Sequence, residues 1–177
     1  MKFTKSQEVR KFANALIGIF QEKLGHVGEG NIAYLFTEEQ IVEAGKVKAG
    51  YACIPQVQNR QRKFYEWAVE KAIGYSPDAL IVIDKEIWGM LTDVQKAALV
   101  YHELRHLKHS TTGAGKPKYN SETGNPIYQI EGHDVEEFND VIEHFGAWEG
   151  GLVNMKGLLD AEPDKEKVEA VLKAVGK

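Results

Sequence analysis

The 177-residue chain predicts an α+β domain in which a small sheet, of three strands or slightly more, packs against one long helix and several others. Three observations carry this expectation. Apolar residues recur at helical spacing in several segments, beginning with Val9, Phe12, Ala13, Leu16, Ile17, Phe20 and Leu24. Short β-rich runs stand between the helical ones, and Ala79-Leu80-Ile81-Val82-Ile83 is the most apolar strand. The resulting order is helix, two strands, helix, strand, long helix, loop, helix.

The first helix covers Ser6 to Leu24 and stops near Gly25. Asn31 to Phe36 and Gly50 to Val57 read as strands. Arg60 to Ile73 is helical, with Phe64, Trp67, Ala68 and Ala72 on one side, and Ser76-Pro77-Asp78 breaks it. After the apolar strand and Trp88, Thr92 opens a helix in which Gln95 completes a capping box, and the pattern extends to about His109. Residues 113–132, rich in Gly, Lys, Ser, Asn and Pro, read as a long loop, a length that suggests a part in substrate binding. Val135, Phe138, Val141, Ile142, Phe145 and Trp148 mark another amphipathic helix. Gly150-Gly151 follows, and Val168, Val171, Leu172 and Val175 mark a last short one. Residues 1–150 are expected as a single domain and 151–177 as a C-terminal tail.

Composition narrows the function classes. Hydrophobic residues at 43% and charged residues at 27% are those of a globular protein with a real core. A net charge of −4 and a pI near 5.9 disfavour a partner held through its phosphate backbone. The local basic group Lys46, Lys48, Arg60, Arg62 and Lys63 reads as a solvated loop. A lone cysteine excludes an internal disulfide, and Cys53, inside a strand, reads as a small buried apolar residue. With no targeting pattern and no membrane span, the chain is expected to be soluble and cytoplasmic.

The chemistry concentrates in His102-Glu103-Leu104-Arg105-His106. Residues i and i+4 share a helix face, so both imidazoles can point at one divalent metal ion, and zinc suits nitrogen ligands. Glu103, about 100° round the helix, flanks the metal and can take a proton from an activated water. The same spacing would suit two surface histidines. Context favours the site, because Ala97, Val100, Tyr101, Leu104 and Leu107 anchor the opposite face in a core.

A third ligand is required. His109 shares the face but stands about 10 Å along the axis from His102. Asp134 and Glu137 read as a capping box, and Glu136 points to water. His133, just outside the helix after Gly132, has no structural need for an imidazole and is the preferred ligand, with Glu137 and Asp134 as the alternatives. His144 lies off the apolar face, and Tyr119 and Tyr128 read as loop packing.

From about Gly50 to Trp148 the sequence resembles the phage metallopeptidases. The resemblance rests on Asp78-Ala79-Leu80-Ile81-Val82-Ile83 with Trp88, on Ala98 to Leu107 around the two histidines, and on Gly132-His133-Asp134-Val135-Glu136-Glu137-Phe138. More distantly it is similar to the compact zincins of the SprT, Spartan and WLM kind, in which a late histidine completes the metal site. In this chain His133 follows His106 by 27 residues, a longer gap than in those relatives. The resemblance implies a zincin-like fold, a Zn2+ cofactor and hydrolysis of protein or peptide substrates in a bacterial host cytoplasm. The alternatives from other classes are a zinc-stabilised regulatory module without catalysis and a DNA-associated protease.

Overall fold

The most apolar run of the chain lies inside the sheet that carries the site. The computed structural model describes residues 2–55, 62–136, 139–148 and 150–177; of Arg62, Asn139 and Asp140 it describes the backbone alone. Strand β1 is Phe3–Lys5. Ser6 caps helix α1 (Gln7–Ile19), its hydroxyl accepting from Val9 N at 3.1 Å. The expected single helix to Leu24 instead breaks at Phe20, whose φ of −103° and ψ of 45° leave the helical region. It resumes as α2 (Gln21–Leu24) and a 3-10 turn at Gly25–Glu29.

Strand β2 (Ile32–Thr37) leads into a small hairpin, β3 (Ile41–Glu43) and β4 (Lys46–Lys48). Its turn places Ala44 at φ 49° and Gly45 at φ 76°, the two positive values that a tight hairpin turn requires. Strand β5 is Gly50–Cys53 and helix α3 is Arg62–Ile73. Ile54 and Pro55 lie beyond the end of β5, which is shorter than expected; the rest of the expected strand to Val57, and the start of α3 at Arg60, fall at residues 56–61, outside the described residues. Strand β6 (Ala79–Asp84) ends on Asp84, whose carboxylate accepts from the Glu86 and Ile87 amides and so starts helix α4 (Lys85–Met90).

The main sheet has the order β1-β2-β6-β5, four strands where three were the minimum expected. β2 and β6 are parallel, and β1 and β5 add antiparallel edges. The added strand, Phe3–Lys5, is too short and polar to stand out in the sequence. Ile81 and Ile83 of β6 are fully buried against Phe12, Leu16, Leu24 and Leu104 in one core cluster.

Helix α5 (Asp93–Arg105) opens with the expected capping box: Thr92 Oγ1 accepts from Gln95 N, and Gln95 Oε1 accepts from Thr92 N. It ends sooner than its apolar pattern suggests, with His106 as C-cap. Leu107–His109 is strand β7, paired antiparallel with β8 (Tyr128–Ile130). The stretch expected as an open loop is therefore a long hairpin, extended by bridges Thr111↔Pro117 and Tyr119↔Pro126. Helix α6 is Asn139–Phe145; a capping box at Asp134 and Glu137 falls partly outside the described residues.

Gly150-Gly151 opens a helix the sequence did not reveal, α7 (Gly150–Asp160). Helix α8 (Lys165–Ala174) then packs on α1 and α5, burying Val171 and Val175 in the same core. The segment after residue 150, expected as a tail, thus contributes to the domain, because Val171 and Val175 of the last helix need a core to face. Among the described residues no helix is long and apolar enough to cross a membrane.

Candidate metal centre

Helix α5 is held down by Ala97, Val100 and Leu104, all buried, which turns Ala98 and His102 to a cleft of about 670 Å³. His106, at the helix end, lines the same cleft. β5, the outer strand of the sheet, forms the facing wall through Gly50, Tyr51 and Ala52, and His133 closes the third side.

The structure brings together the three histidines singled out from the sequence. His102 Nε2 lies 3.2 Å from His106 Nε2 and 3.2 Å from His133 Nε2. One nitrogen from each of the three falls within 4.8 Å of the others. Three nitrogens each about 2.0–2.1 Å from a tetrahedral zinc ion would stand about 3.3 Å apart, so the donor set fits that ion. His109, by contrast, is directed elsewhere: its Nε2 bonds the Lys118 carbonyl at 2.8 Å and its ring packs on Tyr119.

Neighbouring oxygens fix which nitrogen is free in two of the three rings. His106 Nδ1 stands 2.7 Å from the Glu131 carbonyl, and His133 Nδ1 stands 3.1 Å from Glu136 Oε1. An oxygen acceptor requires the proton on Nδ1, so a neutral ring presents its Nε2 lone pair to the centre. His102 is held in the neutral form a ligand needs. Burial lowers its pKa first, and the charges of His106, His133 and Lys48 add to the effect.

The hairpin positions two of the three rings. Glu131 follows β8, and its N–H donates to the His106 carbonyl at 2.8 Å while its own carbonyl meets the His106 ring. His133 is two residues further on. The sequence assigned neither Glu131 nor Glu136 to the site, and Glu136 was expected simply to face water. A carboxylate three residues after a candidate ligand is the signal that could have found it.

Glu103 is 3% exposed, deeper than a position flanking the metal suggests. Its carboxylate accepts from the Ala52 amide, and Oε2 has no hydrogen-bond partner among the described residues. Burial pushes its pKa up to about 7, against the lowering effects of that hydrogen bond and of Lys48. A carboxyl poised there can take and return a proton near neutral pH. Gly50 makes the room, since a Cβ there would stand 3.2 Å from Glu103 Oε1 and 2.7 Å from Ile83 Cδ1.

The remaining candidates serve structure or lie apart. Tyr128 is buried and its hydroxyl donates to the His26 carbonyl at 2.9 Å; Tyr119 is exposed. Asp134 and His144 are exposed and belong to no group of metal-ligating side chains among the described residues, while Glu137 lies outside them.

Cys53 is half-buried, and burial raises its thiol pKa from 9.0 to about 11. At pH 8 its thiolate fraction then falls about 100-fold below that of an ordinary thiol. Native protein treated with iodoacetamide at pH 8 should accordingly label about 100-fold more slowly than denatured protein, read by mass spectrometry. Equal rates would show that the thiol is open and reactive.

Among families, the model described as Putative phage metallopeptidase matches residues 1–162. No curated protein and no solved structure matches the chain.

Proposed function

Starting from the chain's membership of the phage metallopeptidase family, we propose that it is a zinc-dependent peptidase that hydrolyses peptide bonds of protein or peptide substrates in the cytoplasm of a bacterial host. The observation that carries this reading is the convergence of three imidazole nitrogens beside a buried, unsatisfied carboxylate in an open cleft. His102, His106 and His133 would hold the ion, which supplies Lewis acidity and a water of lowered pKa. Nitrogen-rich donors favour zinc over magnesium or calcium, which prefer oxygen.

The chain's own groups then divide the work. Glu103 takes a proton from water as the water oxygen adds to the carbonyl carbon and the C=O π pair moves onto the carbonyl oxygen. The same carboxyl returns the proton to the amide nitrogen as the C–N bond breaks and the C=O bond re-forms. The Glu131 carbonyl and Glu136 carboxylate hold their imidazoles in orientation throughout. Gly50, Tyr51 and Ala52 of β5 form the cleft wall opposite α5, along which a substrate backbone would lie.

A regulatory zinc module without catalysis would close its site with a fourth protein ligand. The three histidine side chains that meet are the ligand number of a catalytic zinc site, and the peptidase reading gives the fourth position to water. The test is direct. Protein purified without chelators and supplied with zinc should bind one ion per chain and cleave an unstructured protein; a chelator should stop cleavage and zinc should restore it. Zinc held with four protein ligands, or no zinc at these nitrogens, would reject the peptidase.

A further inference from the structure

The hairpin β3–β4 stands outside the main sheet, and a bend at Ala49 joins it to β5. Through this bend Glu43 and Lys48 come to line the same cleft as the three histidines. The cleft's carboxylates are Glu43, Glu103, Glu131 and Glu136, and Lys48 is the one lysine or arginine among the lining residues described. Glu131 is engaged by Lys108 and Glu136 by His133. Lys48 is two residues from Gly50, the strand position against which the Glu103 carboxylate rests.

We propose that Lys48 is a further catalytic residue, whose ammonium group meets the negative charge that develops on the carbonyl oxygen when water adds to the peptide bond. This rests on the peptidase reading above. A transition state gains most from a cation already placed where the charge appears, in a site partly shielded from water. Lys48 lines the cleft from the hairpin side, while Glu103 and His102 approach from α5. Lys48, Glu103 and His102 line one and the same cleft, so the ammonium has access to the half of the site where Glu103 stands.

The pair that holds it now is weak. Lys48 Nζ lies 3.8 Å from Glu43 Oε2, with the two side chains 41% and 77% exposed. An exposed pair of this length has little hold on a flexible lysine, so the ammonium can leave Glu43 when substrate charge appears. The electron count is unchanged by this role. Lys48 donates a hydrogen bond, keeps its proton, and releases the oxygen when the C=O bond re-forms.

The experiment compares Lys48→Met and Lys48→Arg in the zinc-loaded protein, with turnover of an unstructured protein and binding of a phosphinic peptide, a tetrahedral anionic mimic, as separate readouts. Lys48→Met should lower kcat about 10–100-fold with KM within twofold, and weaken phosphinate binding about 10-fold. Lys48→Arg should recover most of both, and neither variant should change bound zinc. An unchanged kcat and unchanged phosphinate affinity in an active enzyme would overturn the role. A rise in KM restricted to acidic substrates would overturn it too, making Lys48 a subsite cation. If the wild type cleaves nothing yet loses phosphinate affinity on Lys48→Met, the peptidase reading fails and the anion-binding role stands. Failure of both readouts in an inactive wild type removes both.

Discussion

Glu103→Gln should keep its zinc and lose peptide hydrolysis, with kcat falling about 10³-fold, the scale of a lost general acid–base group. The amide still accepts from the Ala52 N–H and fills the same volume beneath Gly50, so the three imidazoles have no reason to move. What disappears is a group able to take a proton and give it back. Zinc analysis beside a turnover assay checks both halves. Full activity in the variant would remove Glu103 from the mechanism.

The same substitution has a consequence for stability, with a sign set by the direction of the pKa change. Glu103 is raised from 4.5 to about 7 in the folded chain. Between those values the folded state binds more protons than the unfolded one, so stability falls as pH rises through this window. Below it the carboxyl is neutral in both states and costs nothing. Above it the penalty is complete, on the order of 3 kcal/mol for metal-free protein. Metal-free Glu103→Gln should therefore be more stable than metal-free wild type at pH 8 and equal to it near pH 4. Zinc in the wild type should narrow the difference, because a divalent charge stabilises the carboxylate. Parallel denaturation curves at the two pH values would decide it, and an advantage that did not grow with pH would contradict the burial argument.

The parts of the site that were legible in the sequence are those set by local geometry. His102 and His106 are one helical turn apart, and the Thr92–Gln95 capping box fixes where that helix begins. The central strand was legible because Ala79 to Ile83 is continuously apolar. The end of α5 was not. Leu107 is as apolar as Leu104 and no glycine or proline intervenes, so the helical pattern runs on into what is in fact β7. The pairing of β7 with β8 spans some twenty residues of polar chain, and a register such as His109↔Tyr128 has no local signal. Helix α7 was not legible because it opens on Gly150-Gly151, yet two glycines at a helix start cost little where Leu152 is buried behind them. Glu136 looked like a solvent-facing helical residue because the helix was placed too early; in irregular chain, after a bend at Asp134, its carboxylate meets the His133 ring.

His133→Ala should weaken zinc binding by more than about 100-fold, beyond the loss of an outer-shell partner. The argument is geometric. His102 and His106 supply two nitrogens 3.2 Å apart, and an ion held by these alone is open on two sides. His133 supplies the third at the same spacing from His102, delivered by a hairpin after which Glu131 is bonded to His106 at both backbone and ring. Glu136→Ala should cost less, about 10-fold, because the imidazole remains and only its orientation and basicity suffer. His109→Ala should leave zinc affinity unchanged, since that ring is spent on Lys118 and Tyr119. Calorimetric titration of zinc into the three metal-free variants gives the order directly. Wild-type affinity in His133→Ala would pass the third position to a carboxylate, with Asp134 and Glu137 the alternatives the sequence offers, and would remove His133 from the metal centre.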